Sequence, residues 1–147
     1  MTMLSAFDTT VQKTMTWIHE LGDAMHWDEQ KSYLCMRATL HALRDRLTVD
    51  EAVQLGAQLP MLLRGLFFEG WKPRETPIKV RNREDFFQMV RMQLPPGTHV
   101  SADAVVCSVF GLLSRKISRG EIQDVRGMMP ADLAELWPEG DAGGRTG

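Results

Sequence analysis

A group of charged side chains in the first half of the chain has the residue types and spacing for anion binding or proton transfer. His41 and Asp45 are four positions apart, so they can meet on one face of a helix, and Arg37 and Arg44 flank the imidazole. A histidine beside a carboxylate and arginines can bind an anion or move a proton. The alternative is an exposed ion-paired face or a contact between the two repeated halves of the chain. No residue of this group is a nucleophile.

A second candidate is the string HELGDAMH, which places His19, Asp23 and His26 on one helical face and begins like the zinc-binding pattern H-E-x-x-H. However, Asp23 stands where the pattern requires histidine, and Gly22 weakens a helix running through to His26. We interpret the string as a solvated helix end and predict no metal site.

A third candidate is the basic segment 71–82 with its two prolines, which we interpret as a linker without helical period. Basic side chains beside Trp71 could contact phosphates while the indole stacks on a base. The alternatives are solvation or pairing with acidic residues of the other repeated half of the chain, and the acidic balance elsewhere argues against nucleic acid. Trp71 itself is interpreted as a plug between the two halves or as an exposed partner contact. The basic residues are Lys72, Arg74, Lys79 and Arg81, together with Arg83 directly after the segment.

Composition limits the class of protein. The 147 residues fit one domain, and 44% hydrophobic with 24% charged residues is typical of a globular protein. The net charge is −2 and the pI about 6.1. No apolar run suits a membrane span and the start resembles no leader, so we expect a cytoplasmic protein. Cys35 and Cys107 lie in apolar helical patterns, where we expect buried, reduced thiols.

The segments predicted to form the helices that position these side chains occur twice in the sequence. LPMLLRGLFFEG, from Leu59 to Gly70, and MPADLAELWPEG, from Met129 to Gly140, share residues at an offset of 70 positions. The apolar stripes of the preceding helices repeat at the same offset. The identical residues are the prolines at 60 and 130, the leucines at 63 and 133 and at 66 and 136, and the closing Glu-Gly pairs at 69–70 and 139–140.

Helix caps also repeat at this offset. Because the cap residues are not part of the apolar stripe, helical periodicity alone does not explain their agreement. Thr48 stands three residues before Glu51, and Ser118 three before Glu121, so each copy predicts a capping box in which hydroxyl and glutamate satisfy each other's backbone N–H. Asp28 predicts the N-cap of the long helix of the first copy. Together these signals predict an all-α tandem duplicated bundle, two copies of about four helices with pseudo-twofold packing. We expect a first copy over 1–70, a linker over 71–82, a second copy over 83–140 and a flexible tail over 141–147.

Positions where the copies disagree are candidates for function. Gly111 and Arg115 replace His41 and Asp45 in the second copy, Ser114 replaces Arg44, and Arg64 corresponds to Ala134. If this unshared polar set binds a ligand, its members should converge on one accessible surface. The candidate binding residues are His41, Arg44, Asp45, Arg64 and Trp71.

The two motif blocks carry a family resemblance. LHALRDRLTVDEAVQLGAQLPMLLRGLFFEGWKP, over 40–73, and ISRGEIQDVRGMMPADLAELWP, over 117–138, are similar to the bacterial family called domain of unknown function 2267. The resemblance runs from about Phe7 to Trp137. It implies a helical, internally duplicated cytoplasmic protein, and it implies no reaction, cofactor or catalytic residue.

No complete catalytic, metal or phosphate motif stands in the sequence. We therefore interpret the chain as a non-enzymatic interaction or regulatory module with an unidentified protein partner. The alternative is a small-molecule or anion-binding protein that uses the polar residues unique to the first copy. No cofactor is predicted, and the sequence fixes no oligomeric state.

Overall fold

The computed structural model describes residues 5–138, and all regular secondary structure in that range is helical, which confirms the all-α prediction. A short 3-10 helix, Pro73–Glu75, lies in the linker. The helices are α1 (Ser5–Met25), α2 (Glu29–Arg46), α3 (Val49–Ala57), α4 (Met61–Phe68), α5 (Arg83–Gln93), α6 (Ala102–Lys116), α7 (Arg119–Gly127) and α8 (Ala131–Ala134).

The predicted N-caps form, because each side-chain oxygen satisfies a backbone N–H that the first helical turn leaves free. Asp28 accepts from Lys31 N at 2.8 Å at the start of α2. Thr48 accepts from Glu51 N at 3.2 Å and Ser118 from Glu121 N at 3.3 Å. The reciprocal half of the capping box is wrong: Ser118 N donates to a side chain of α3, and neither glutamate returns to its own cap within residues 5–138.

Helix boundaries in the two halves agree at the offset of 70 positions. Val49–Ala57 and Arg119–Gly127 have the same length, and α4 and α8 both begin directly after a proline. Pro60 and Pro130 occupy the N-cap position instead of the first helical turn. These matching boundaries are what a duplication predicts, and the duplication itself remains our interpretation.

The core is built from the apolar stripes of both halves. Helix α2 packs against α1, α4, α5 and α6, so it lies at the centre of the bundle. Phe67 and Trp137, which occupy equivalent positions, are both buried, and Trp137 stacks on Phe110 with ring centroids 3.9 Å apart. Equivalent positions of the two halves thus contribute large aromatic side chains to the core.

Helix α1 continues through Gly22 to Met25 and ends before His26, as the sequence led us to expect, although the glycine is not the residue that ends it. A Cβ at this position would lie 2.7 Å from Ser32 Oγ and 2.8 Å from the carbonyl oxygen of Trp27, so the close approach of the following turn requires glycine here. The chain leaves the helix at His26, whose φ is 59°. Glycine therefore serves packing at this point instead of ending the helix.

The linker is fastened to the C-terminal end of α2. Ile78 N donates to the carbonyl of Asp45 at 2.7 Å, Arg46 Nε donates to the carbonyl of Val80 at 3.0 Å, and Val80 is buried. The partition into copies and linker stays a prediction. The expected tail at 141–147 and the repeated Glu-Gly at 139–140 lie outside the described residues.

The two cysteines differ in burial. Cys35 is buried, and burial raises the pKa of its thiol to about 11. Cys107 is exposed on α6, so the expectation of a buried thiol is wrong there, because its position falls beside the apolar stripe. Within residues 5–138, no helix combines the length and apolar character that crossing a bilayer requires.

Candidate functional site: capped helix ends and an apolar groove

His41 and Arg44 lie against the C-terminal end of α4, where the last turn leaves carbonyl groups without helical partners. His41 Nε2 donates to the carbonyl of Leu66 at 2.8 Å. Arg44 Nη1 donates to the carbonyls of Phe67 at 3.0 Å and Glu69 at 2.8 Å. Both side chains are buried. The structure therefore uses them to cap α4 from the side of α2.

Asp45 completes this cap by holding the guanidinium. Its Oδ1 accepts from Arg44 Nε at 2.8 Å, so the buried cation has a carboxylate partner. Burial lowers the pKa of His41, Arg44 and Arg37 lower it further, and the bond to Leu66 and the charge of Asp45 act in the opposite direction. A neutral imidazole with its Nε2–H on a carbonyl suits a structural donor better than a proton shuttle.

Arg64 serves the end of a different helix. Its Nε donates to the carbonyl of Gly56 at 3.0 Å and its Nη2 to that of Leu59 at 3.0 Å, which places the guanidinium at the end of α3. His41 binds at the end of α4 instead. The expectation of one accessible, convergent surface is wrong for His41 and Arg44, because both are buried in contacts with carbonyls. Ligand binding by this set stays a prediction.

Trp71 packs beside the end of α4. Its ring lies 5.1 Å from that of Phe68, centroid to centroid, and it contacts the core while remaining half-buried. Within residues 5–138, the buried indole Nε1 has no hydrogen-bond partner. Its role as a plug between the copies or as a partner contact stays a prediction.

The HELGDAMH string forms the last turns of α1. His19 Nε2 lies 2.6 Å from Glu29 Oε2 of α2, so the imidazole has a local partner. Over residues 5–138, no cluster of three or more histidine, cysteine, aspartate or glutamate side chains is arranged to hold a metal ion.

The basic segment divides into one paired side chain and several exposed ones. Arg83 Nε donates to Asp132 Oδ1 at 3.0 Å, and its Nη2 to Glu135 Oε1 at 2.8 Å, so it joins α5 to α8. Asp132 and Glu135 lie in the same predicted copy as Arg83, so this is not the pairing with the other copy that the sequence left open. Lys72, Arg74, Lys79 and Arg81 are exposed.

An apolar groove between α1 and α4, not anticipated from the sequence, has a volume of about 790 Å³. Its walls are the stripe of α1 from Phe7 to Ile18 and the face of α4 from Met61 to Glu69, with Tyr33 of α2 contributing. We call it the α1–α4 groove. Four large apolar side chains in its walls are 45–59% exposed: Phe7, Val11, Met61 and Leu62.

The equivalent edge of the second half is charged. With the turn after the first helix three residues longer in the first half, Thr10 corresponds to Arg83, and Leu62 and Gly65 correspond to Asp132 and Glu135. The second half therefore closes this edge with the Arg83 ion pairs. In the first half a Cβ at Gly65 would meet no atom of residues 5–138 within 4 Å, so in the described part of the chain this edge is open as well as apolar.

A signal for this groove was present in the sequence. The candidate binding residues are those polar residues that are unique to the first half. Leu62 and Gly65 are the opposite case, apolar residues of the first half that stand where the second half has acidic ones. The first half has leucine and glycine where the second half has Asp132 and Glu135. At exposed positions, contact with water would favour the charged residues. The same comparison, applied in both directions, would have identified this edge.

Most of the chain matches a known protein family. Residues 14–136 match the family described as "Uncharacterized conserved protein (DUF2267)". The chain belongs to this family, which confirms the resemblance carried by the two motif blocks. No curated protein matches the chain.

Proposed function

We propose that the protein is a non-enzymatic interaction module whose α1–α4 groove receives the apolar face of an amphipathic helix from a partner protein. The observation that carries the proposal is the exposure of Phe7, Val11, Met61 and Leu62 along one groove, while the equivalent edge of the second half is closed by ion pairs. Contiguous exposed apolar side chains mark binding surfaces more often than scattered ones do.

A helix fits the shape of the groove. The α1 wall from Phe7 to Ile18 is about 16 Å long at 1.5 Å per residue, which matches about three turns of a partner helix. Helices that bind in grooves present apolar side chains at i, i+3, i+4 and i+7. Glu69 lies at the end of α4 near Arg37, and its carboxylate is 60% exposed, so a basic residue at one end of the partner helix would be favoured there.

The alternative function, anion binding by the polar set of the first half, gains less support. Arg44 and Arg64 already donate to helix-end carbonyls, so an anion would have to replace those contacts. Action in the cytoplasm is part of our proposal, supported by two cysteines that are both free.

The experiment is selection of a displayed library of helical peptides on the full chain, with a matched pair of variants. Met61→Glu places a charge in the groove, and Met92→Glu places the same charge at an exposed methionine on α5. We expect the selection to enrich peptides with apolar residues at helical spacing. These peptides should bind wild type and Met92→Glu and should not bind Met61→Glu. Peptides that bind all three proteins alike would overturn the proposal. The proposal would also be overturned if wild type self-associated and Met61→Glu abolished that self-association, because the groove would then bind a second copy of the chain.

A further inference from the structure

Helices α3 and α7 pack against each other through reciprocal contacts. Ser118 N, at the start of α7, donates to Gln58 Oε1 at the end of α3, at 3.4 Å. Thr48 Oγ1, at the start of α3, donates to Met128 Sδ at the end of α7, at 3.6 Å. Thr48 and Ser118 are 70 positions apart, and so are Gln58 and Met128. Such an exchange of equivalent contacts is the pattern of a twofold interface.

Glu51 and Glu121 meet at the centre of this contact. Their residues are 4% and 7% exposed, and within residues 5–138 the buried Oε2 of each has no hydrogen-bond partner. Burial and the neighbouring carboxyl group of Glu51 both raise the pKa of Glu121, so the two carboxyl groups face each other in this contact. Ionised carboxylates can only accept hydrogen bonds, so a bond between the two requires one shared proton.

The charges around the pair oppose loss of that proton. Burial raises the pKa of Glu121, and a hydrogen bond to Glu51 and the negative charges of Glu51 and Asp124 raise it further, to about 8. Within residues 5–138, no ion pair reaches either carboxyl group. The charged side chains of the adjoining elements bind other groups. Arg46 donates to the carbonyls of Val80 and Met128, Arg64 to a carbonyl at the end of α3, and Arg126 to the carbonyl of Ala134. Lys116 forms an ion pair with Glu20, and Asp132 forms one with Arg83.

We propose that Glu51 and Glu121 form a proton-operated lock between the two helical halves. With one proton shared, the carboxyl groups bind each other across α3 and α7. Without it, two negative charges face each other in a contact that excludes water, and the α3–α7 contact opens. This lock is independent of the α1–α4 groove.

The sign of the pH effect follows from proton linkage. The closed state holds its proton up to about pH 8, whereas a solvated glutamate releases it near pH 4.5. Between these values the closed state binds more protons than the open one, so stability falls as pH rises. The fall is complete above about pH 8, and the population ratio of closed to open changes by at most about tenfold per pH unit.

The experiment compares wild type with Glu51→Gln and Glu121→Gln, using Asp50→Asn, an exposed carboxylate on α3, as control. Melting temperature and amide exchange of α3 and α7 are measured from pH 5 to 9. We expect the melting temperature of each Gln variant, relative to wild type, to rise from pH 5 to 8 and then to level off. Asp50→Asn should follow wild type. Parallel curves for all four proteins would overturn the proposal.

A titration of wild type keeps the test independent of how the variants fold. Carbon-13 shifts of the glutamate carboxyl carbons should show one buried carboxyl group that titrates near pH 8. If every glutamate titrates below pH 6, the shared proton does not exist and the lock is wrong.

Discussion

The backbone amide of Leu62 donates a 2.9 Å hydrogen bond to the hydroxyl of Thr10, joining α4 to α1 beside the groove. At the equivalent contact of the second half, the backbone amide of Arg83 donates to Asp132 Oδ2 at 2.6 Å, and the guanidinium adds further bonds. The same pair of helices is thus joined by a neutral contact in one half and by ions in the other. The first half therefore has the apolar edge of the α1–α4 groove where the second half has a charged edge.

The cap formed by Arg44 gives the first prediction. Arg44→Ala should lower the free energy of unfolding by on the order of 3 kcal/mol, because it leaves Asp45 and the carbonyls of Phe67 and Glu69 without their donor. Chemical denaturation measures the loss. Arg115→Ala, which removes an exposed arginine paired with Glu20, is the control and should cost less than about 1 kcal/mol. Equal losses would mean that Arg44 does not cap α4.

His41 makes stability depend on pH. Because burial lowers its pKa in the folded state below the ordinary 6.5, the unfolded chain takes up a proton first as pH falls. The contribution of His41 to stability should therefore be full above about pH 6.5 and decrease as pH falls towards the lowered pKa. This effect is opposite in sign to that of the Glu51–Glu121 pair, so the test is the difference between variant and wild type. The melting temperature of His41→Gln relative to wild type should rise as pH falls from 7.5 to 4.5, and a constant difference over this range would exclude His41 as the cause.

Two glycines should respond to alanine in opposite directions. Gly65→Ala adds a methyl group that meets no atom within 4 Å and should stabilise α4 by up to about 1 kcal/mol. Gly22→Ala places its Cβ 2.7 Å from Ser32 Oγ and should destabilise by about 1–3 kcal/mol. Denaturation midpoints of the two variants test this. Destabilisation by both would show that the space beside Gly65 is filled.

The paired N-caps should each contribute to stability. Thr48→Ala and Ser118→Ala should cost about 1 kcal/mol each, because each leaves the amide of a glutamate without its acceptor. Thr48→Ser and Ser118→Thr keep the hydroxyl and serve as controls. Unchanged denaturation midpoints in both alanine variants would contradict the assigned starts of α3 and α7.

The local signals of the sequence predicted the elements well, because caps and apolar periods act within one or two helical turns. Asp28, Thr48 and Ser118 begin helices as expected. The same spacing suggested that His41 and Asp45 form a polar site, yet the neighbour that decides their role is the end of α4, more than twenty positions away. Likewise the spacing predicted that Glu121 returns to the cap of its own helix, whereas the packing of α7 on α3 places it beside Glu51. Such partners depend on how helices pack, which neither period nor propensity specifies.

The most direct test of the groove is the dissociation constant of one selected helical peptide for wild type, Met61→Glu and Met92→Glu, measured by calorimetry on the full chain. Met61 is 56% and Met92 75% exposed, so neither substitution should unfold the protein. We predict that Met61→Glu weakens binding by at least about tenfold, equal to about 1.4 kcal/mol, while Met92→Glu binds within about twofold of wild type. Equal dissociation constants for all three proteins would contradict binding in the α1–α4 groove.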